Sequence, residues 1–141
     1  MDQVKSAHQT WLESFAAAHG AMAGTVHVRR GEDLELVAKL NIPPPVVAAV
    51  SHVPRGKGMA GLAQVRKQPV QTCNLQTDNS GNIKPGAKAV DARAAVALPV
   101  FDEAGEVRAV VGLAFMHEGE IAAEHEQAML NAAASLPASG S

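Results

Sequence analysis

The sequence predicts an α+β domain built on an antiparallel sheet of five or six strands, and three observations predict it. An apolar stripe at helical spacing opens the chain, two pairs of β-rich runs are each joined by a tight turn, and a second apolar-striped segment closes it. At 141 residues the chain fits one domain, long enough to bury roughly two thirds of the surface that its unfolded form exposes.

Val4, His8, Trp11, Leu12, Phe15 and Ala18 recur at helical spacing, and Gly20 stands where a cap glycine belongs, so a helix is expected over residues 3–19. Met22 to Arg29 and Leu34 to Leu40 are β-rich, and Arg30-Gly31-Glu32-Asp33 between them has the glycine of a short hairpin loop. Pro43-Pro44-Pro45 ends the second strand. Val46 to Val50 then reads as a short helical turn, with Pro45 tolerated at its first position because that amide has no helical partner.

After the Gly56-Lys57-Gly58 turn, Met59, Leu62 and Val65 mark a short helix from Met59 to Lys67, stopped by Gln68-Pro69. Val70 to Cys73 is a brief strand. Asn74 to Asp91 is polar and rich in turn formers, and a connection of that length points to a lid or a binding loop. Arg93 to Val100 and Val107 to Phe115 flank the tight turn Asp102 to Gly105, and their nearly continuous apolar character places them inside the sheet with both faces covered. Gly119 precedes a last helix, Ile121 to Ala134. One domain is expected over residues 1–136, with 137–141 as a frayed tail.

Composition narrows the function classes. Hydrophobic residues make up 47% and charged residues 18%, which is globular usage and not that of a disordered chain. Formal charge is −2 with the basic residues scattered, so no electropositive face is expected for a nucleic acid. Cys73 is the single cysteine, which excludes an intrachain disulfide and a four-cysteine zinc site and points to a reducing cytoplasm. No apolar run at the N-terminus resembles a signal peptide or a membrane span.

The stretch from Val53 to Val70, with its Gly-Lys-Gly turn and short amphipathic helix, taken with the strand pair at 93–100 and 107–115, resembles a GAF domain. The resemblance runs from about Phe15 to Leu136. It implies terminal helices on one face of the sheet, and on the other face a pocket capped by loops and short helices. It also implies a sensory role with a small ligand. Three specialised branches of that family fit poorly. Free methionine-(R)-sulfoxide reductases carry one cysteine inside the Gly-Lys-Gly helix and another in the loop before the strand pair; here the helix has Ala60 and residues 87–92 contain no cysteine. Cyclic-nucleotide binders carry an Asn-Lys, Phe, Asp-Glu signature, of which only Phe101-Asp102-Glu103 occurs, at a strand end. Bilin binders use aromatic contacts, and residues 52–92 hold none.

Among candidate chemical residues, Cys73 reads as a small buried hydrophobe, since no neighbouring cation in sequence activates it. His117 and His125 lack metal-ligand spacing and read as surface histidines on a charged helix. His27 shares a strand face with Thr25 and Arg29; if that face lines a pocket, His27 can hydrogen-bond a ligand, and otherwise it is a partly exposed strand residue. Lys84, Lys88 and Arg93 lie near Asn74, Gln76 and Asp78 in sequence, a set able to roof a small polar or anionic metabolite, with Arg93 suited to a carboxylate; the lysines can equally be solvated. Gly56, Gly58 and Gly61 lack phosphate-loop spacing and read as turn and close-packing glycines.

Trp11, Leu12, Phe15, Ile121, Met129 and Leu136 supply about 1.5–3 kcal/mol each if fully buried, enough to hold the terminal helices on the sheet. Similar domains often dimerise through those helices, so a homodimer is expected. The resulting expectation is a cytoplasmic, non-enzymatic, homodimeric GAF-like domain without a cofactor. It binds an unidentified small metabolite non-covalently and passes its response to a separate signalling protein. The alternatives are a sulfoxide reductase using Cys73 and a dimerisation module without a ligand.

Overall fold

A computed structural model describes residues 7–42, 44–72, 94–116 and 121–137. In chain order the elements are α1 (Ala7–His19), β1 (Ala23–Arg30), β2 (Asp33–Leu40), α2 (Pro44–Val50), β3 (His52–Val53), α3 (Gly58–Arg66), β4 (Val70–Thr72), β5 (Ala94–Phe101), β6 (Val107–Phe115) and α4 (Ala123–Ala133). The strands form one six-stranded sheet in the order β3-β2-β1-β6-β5-β4, antiparallel at every step. The α+β architecture expected from the sequence is therefore present, with six strands rather than five.

Each local element follows from its residues. Arg30 pairs with Asp33 across a two-residue turn, and Gly31 takes a φ of 65° at the first central position, as a II′ hairpin requires. At the tip of the β5–β6 hairpin one Asp102 carboxylate oxygen accepts the amides of Ala104 (2.9 Å) and Glu106 (3.0 Å), an Asx turn that closes the loop. Pro44 and Pro45 both sit in the first turn of α2, where their missing amides cost nothing.

One strand, one helix end and one side chain differ notably from the sequence expectation. His52–Val53 is a strand, too short to show a period, which adds to the edge at Leu34 and Glu35. Helix α3 stops one residue earlier than expected because Lys67 adopts a left-handed conformation (φ 57°, ψ 36°) and its amide bonds the Ala63 carbonyl at 2.9 Å. The proline two residues on follows the stop instead of causing it. His125 is half-buried, and its Nε2 lies 3.3 Å from Nδ1 of His19, so it packs between helices where a solvated surface histidine was expected.

The sheet has two unlike faces. On one, α1 lies over β1 and β2 and α4 over β5. Leu12, Phe15 and Ala16 of α1 and Met129 and Ala133 of α4 close over Val26, Val96, Leu98, Val111, Leu113 and Phe115 in one continuous core. The two helices run antiparallel, with Trp11 Nε1 donating to Ser135 Oγ at 2.9 Å and His8 Nε2 donating to the Pro137 carbonyl at 3.2 Å. On the opposite face α3 packs against β5 and β6 through Ala60, Leu62 and Ala63, over Val70, Ala97, Val107 and Val110.

Two glutamines fasten the terminal helices to the sheet by imitating a strand neighbour. The Gln9 amide donates to the Lys39 carbonyl (2.7 Å) and accepts the Lys39 amide (3.0 Å), which occupies the edge of β2 beyond the reach of β3. The Gln71 carbonyl oxygen accepts the Ile121 amide (2.9 Å) while its nitrogen donates to Glu126, so β4 holds the start of α4. Among the described residues no helix is long and apolar enough to cross a membrane.

Candidate functional site

Side-chain size alternates with strand period along β5 and β6, and this alternation separates the faces. Val96, Leu98 and Val100 of β5 and Val111, Leu113 and Phe115 of β6 point to the terminal helices. Between them, Ala95 and Ala97 of β5 and Gly112 and Ala114 of β6 point the other way, together with Ala23, Thr25 and His27 of β1. One half of this second face is filled by α3. The other half is a floor of small side chains overhung by Met22, Ile42, Val50 and Met59.

Two contacts fix the shape of the floor. Gly112 pairs with Thr25, and a β-carbon at Gly112 would stand 2.8 Å from Thr25 Oγ1, so the absent side chain lets the threonine hydroxyl lie across the strand. His27 pairs with Val110 and with Leu36 beside a bulge in β2, where Val37 is the extra residue. Its ring is 3% exposed, and its Nε2 donates to the Val50 carbonyl at 2.8 Å, tying the last residue of α2 to the middle of the sheet. His27 is therefore on the face that the strand alternation indicated, buried and engaged in holding α2.

Asn74, Gln76, Asp78, Lys84, Lys88 and Arg93, the other expected ligand contacts, lie outside the described residues, as do Cys73 and His117. Of the cations that sequence reasoning grouped, none is among the described residues. Reading β5 and β6 only as continuously apolar missed the floor residues. The signal was available as the order small-large-small in Ala95-Val96-Ala97-Leu98 and Val111-Gly112-Leu113-Ala114.

The turn leading into α3 is a second conspicuous feature. Gly56 and Gly58 have positive φ angles of 81° and 64°, and a β-carbon at Gly61 would stand 2.9 Å from the backbone of Gly56 and of Pro54. Helix α3 thus sits directly on the turn, which answers why glycine occupies those places and gives the Gly-Lys-Gly stretch a packing role. Beside it, His52 Nε2 donates to Asp33 Oδ2 at 2.9 Å and the Arg55 amide to Asp33 Oδ1 at 3.2 Å, which pins the turn to the β1–β2 hairpin. Among the described residues no three His, Cys, Asp or Glu side chains gather as metal ligands.

No family model matches the sequence, and no curated protein resembles it significantly. Solved structures do resemble it in fold. The GAF domain of a phosphoenolpyruvate-protein phosphotransferase from Acinetobacter superposes with a TM-score of 0.74 at 17% identity, over 96% of this chain and 81% of that one. A type II free methionine-R-sulfoxide reductase from Thermoplasma acidophilum gives 0.73 at 17% identity, over 94% and 89%. A domain of a protein assigned to the two-component sensor histidine kinases, from Sinorhizobium meliloti, gives 0.70 at 16% identity, over 96% and 89%. The fold of this chain is the GAF fold, shared by a domain of a phosphotransferase, a domain of a sensor kinase protein and a methionine-R-sulfoxide reductase.

Proposed function

We propose that this chain is a sensory or regulatory domain that binds a small molecule non-covalently on the sheet face opposite the terminal helices. The observation that carries the reading is the floor of Ala23, Thr25, Ala95, Gly112 and Ala114, whose small side chains face away from a densely packed core. Structural likeness to domains of a phosphotransferase and of a sensor kinase protein supports a regulatory role. In this reading Thr25 and His27 contact the ligand from the floor, and Asn74, Gln76, Asp78, Lys84, Lys88 and Arg93 contact it from the segment between β4 and β5. Ligand binding favours one packing of the terminal helices over another, so that differential affinity supplies the signal. The domain, residues 1–136, works as a homodimer and hands its response to a separate protein.

The test is a thermal-shift screen of a metabolite library, with hits checked by native mass spectrometry on the wild-type chain and on Ala95→Met, which fills the floor. A compound that raises Tm in the wild type and not in the filled variant is the expected result. If no compound binds, the dimerisation module without a ligand is the better reading.

A second reading is favoured by one observation, the likeness to free methionine-R-sulfoxide reductases from three sources. It would have the Cys73 thiolate attack the sulfoxide sulfur, releasing methionine and leaving a sulfenic acid, which two equivalents of an external thiol return to the thiol as water and an external disulfide, because one cysteine cannot close an internal disulfide. Turnover of free methionine sulfoxide that disappears in Cys73→Ser would establish this chemistry and displace the non-enzymatic reading.

A further inference from the structure

Among the described residues three side-chain ties join α1 to α4 and the turn after it, and one of them differs in kind. The Trp11–Ser135 and His8–Pro137 bonds fasten one end of the helix pair with a neutral acceptor in each case. At the other end the partners are two imidazoles, His19 Nδ1 and His125 Nε2, 3.3 Å apart with ring centroids separated by 5.4 Å. Both rings are half-buried, and Phe15 and Phe115 pack edge-on against His19 and His125 respectively.

We propose that the His19–His125 contact is a proton-operated latch, closed while at least one imidazole is neutral and opened when both are protonated. A hydrogen bond between two ring nitrogens needs one N–H and one lone pair. The neutral pair has both, and so does the singly protonated pair, whose bond is charge-assisted. The doubly protonated pair has two donors, no acceptor, and two like charges within the same 3.3 Å. The pair therefore takes up its protons in two coupled steps, and the second is resisted.

Among the described residues the surroundings do little to offset that repulsion. On α1 the last turn carries no other ionisable group, β6 contributes Phe115, and α4 brings Glu124 and Glu126 in its first turn, with Glu126 occupied by Gln71. Burial first, and the charge of His125 second, hold His19 below the ordinary histidine value. His117, Glu118 and Glu120 lie outside the described residues. Two imidazoles alone do not complete a metal's coordination shell, and among the described residues no third ligand joins them.

Because the folded value lies below the unfolded one, the stabilisation is complete above about pH 6.5 and is lost as pH falls through the folded value. Opening would release the C-terminal turn of α1 from the N-terminal half of α4, while the Trp11 and His8 end stays fastened.

The experiment follows imidazole resonances of the wild-type chain by NMR from pH 8 to pH 4.5, with amide hydrogen exchange in residues 15–19 and 123–127 at both ends of the range. Coupled titration of His19 and His125, the second step below the ordinary value, with exchange in both segments rising at least tenfold more in acid than that of Val26 or Val111, is the expected result. His19→Gln and His125→Gln should each abolish the coupling and the pH dependence of exchange, and in His125→Gln the His19 value should rise only in part, because its burial remains. Independent, ordinary titration of both rings, or a pH response that persists unchanged in the glutamine variants, overturns the latch. The wild-type titration decides the matter alone should a variant fail to fold.

Discussion

Gly61 shows how one residue can carry an element. Its position against the backbone of Gly56 and Pro54 leaves no space for a methyl group, and backbone atoms cannot swing aside as a side chain can. Gly61→Ala should therefore lose about 1–3 kcal/mol of stability in urea denaturation, although alanine is the better helix former. Asp102 makes an opposite case, at the surface. The amide of Glu106 foremost, with that of Ala104 and the Arg29 guanidinium adding, holds its carboxyl below the ordinary range. A depressed carboxylate contributes stability above its unfolded pKa, and that contribution fades as pH falls through the folded value. Asp102→Ala should accordingly be less stable than the wild type at pH 7, with the gap narrowing toward pH 2.5, as chemical-denaturation midpoints at the two pH values would show. Both residues were legible in part. The glycine pattern and the Asp-Glu-Ala-Gly turn can be read from sequence, whereas the 2.9 Å approach at Gly61 depends on where α3 comes to rest.

Among the elements, the terminal helices depend on apolar packing and on two glutamine amides. Leu12 and Met129 are fully buried at the centre of that packing, and Leu12→Ala or Met129→Ala should cost about 2–5 kcal/mol in equilibrium unfolding. Gln71→Ala removes the side-chain hydrogen bonds at the start of α4 and should cost about 1–2 kcal/mol, with hydrogen exchange rising first in residues 121–127. The helices themselves were evident from their 3.6-residue stripes. Their fastenings were not, because a glutamine that pairs with a distant backbone looks in sequence like any polar surface residue. His125 was misplaced for the same reason: its charged neighbours suggested solvent, and only the antiparallel docking of α1 on α4 brings His19 to it. The two-residue β3 left no period to find.

For the whole molecule, the unlike faces of the sheet matter most. A core of leucine, valine and phenylalanine lies on one side and a floor of alanine, glycine and threonine on the other, and the proposed site uses the second. The proposed homodimer would use the outer surface of the first side, where Ser14, Ala17, Ala18 and Ala128 are exposed. Sedimentation velocity should show a dimer for the wild type and a monomer for Ala128→Glu, whose charge would be buried at such an interface. A wild-type chain that stays monomeric at every concentration would remove dimerisation from the reading.

The sequence alone determined the element order apart from β3, the antiparallel hairpins and the helical stripes, because period, turn residues and proline placement act within a few residues of one another. Only the tertiary structure decided which small side chains share a face, that His27 reaches the carbonyl of Val50, and that two histidines 106 positions apart meet. Those outcomes depend on strand order and helix docking, which are settled by burial of the whole apolar surface at once and leave no local trace along the chain.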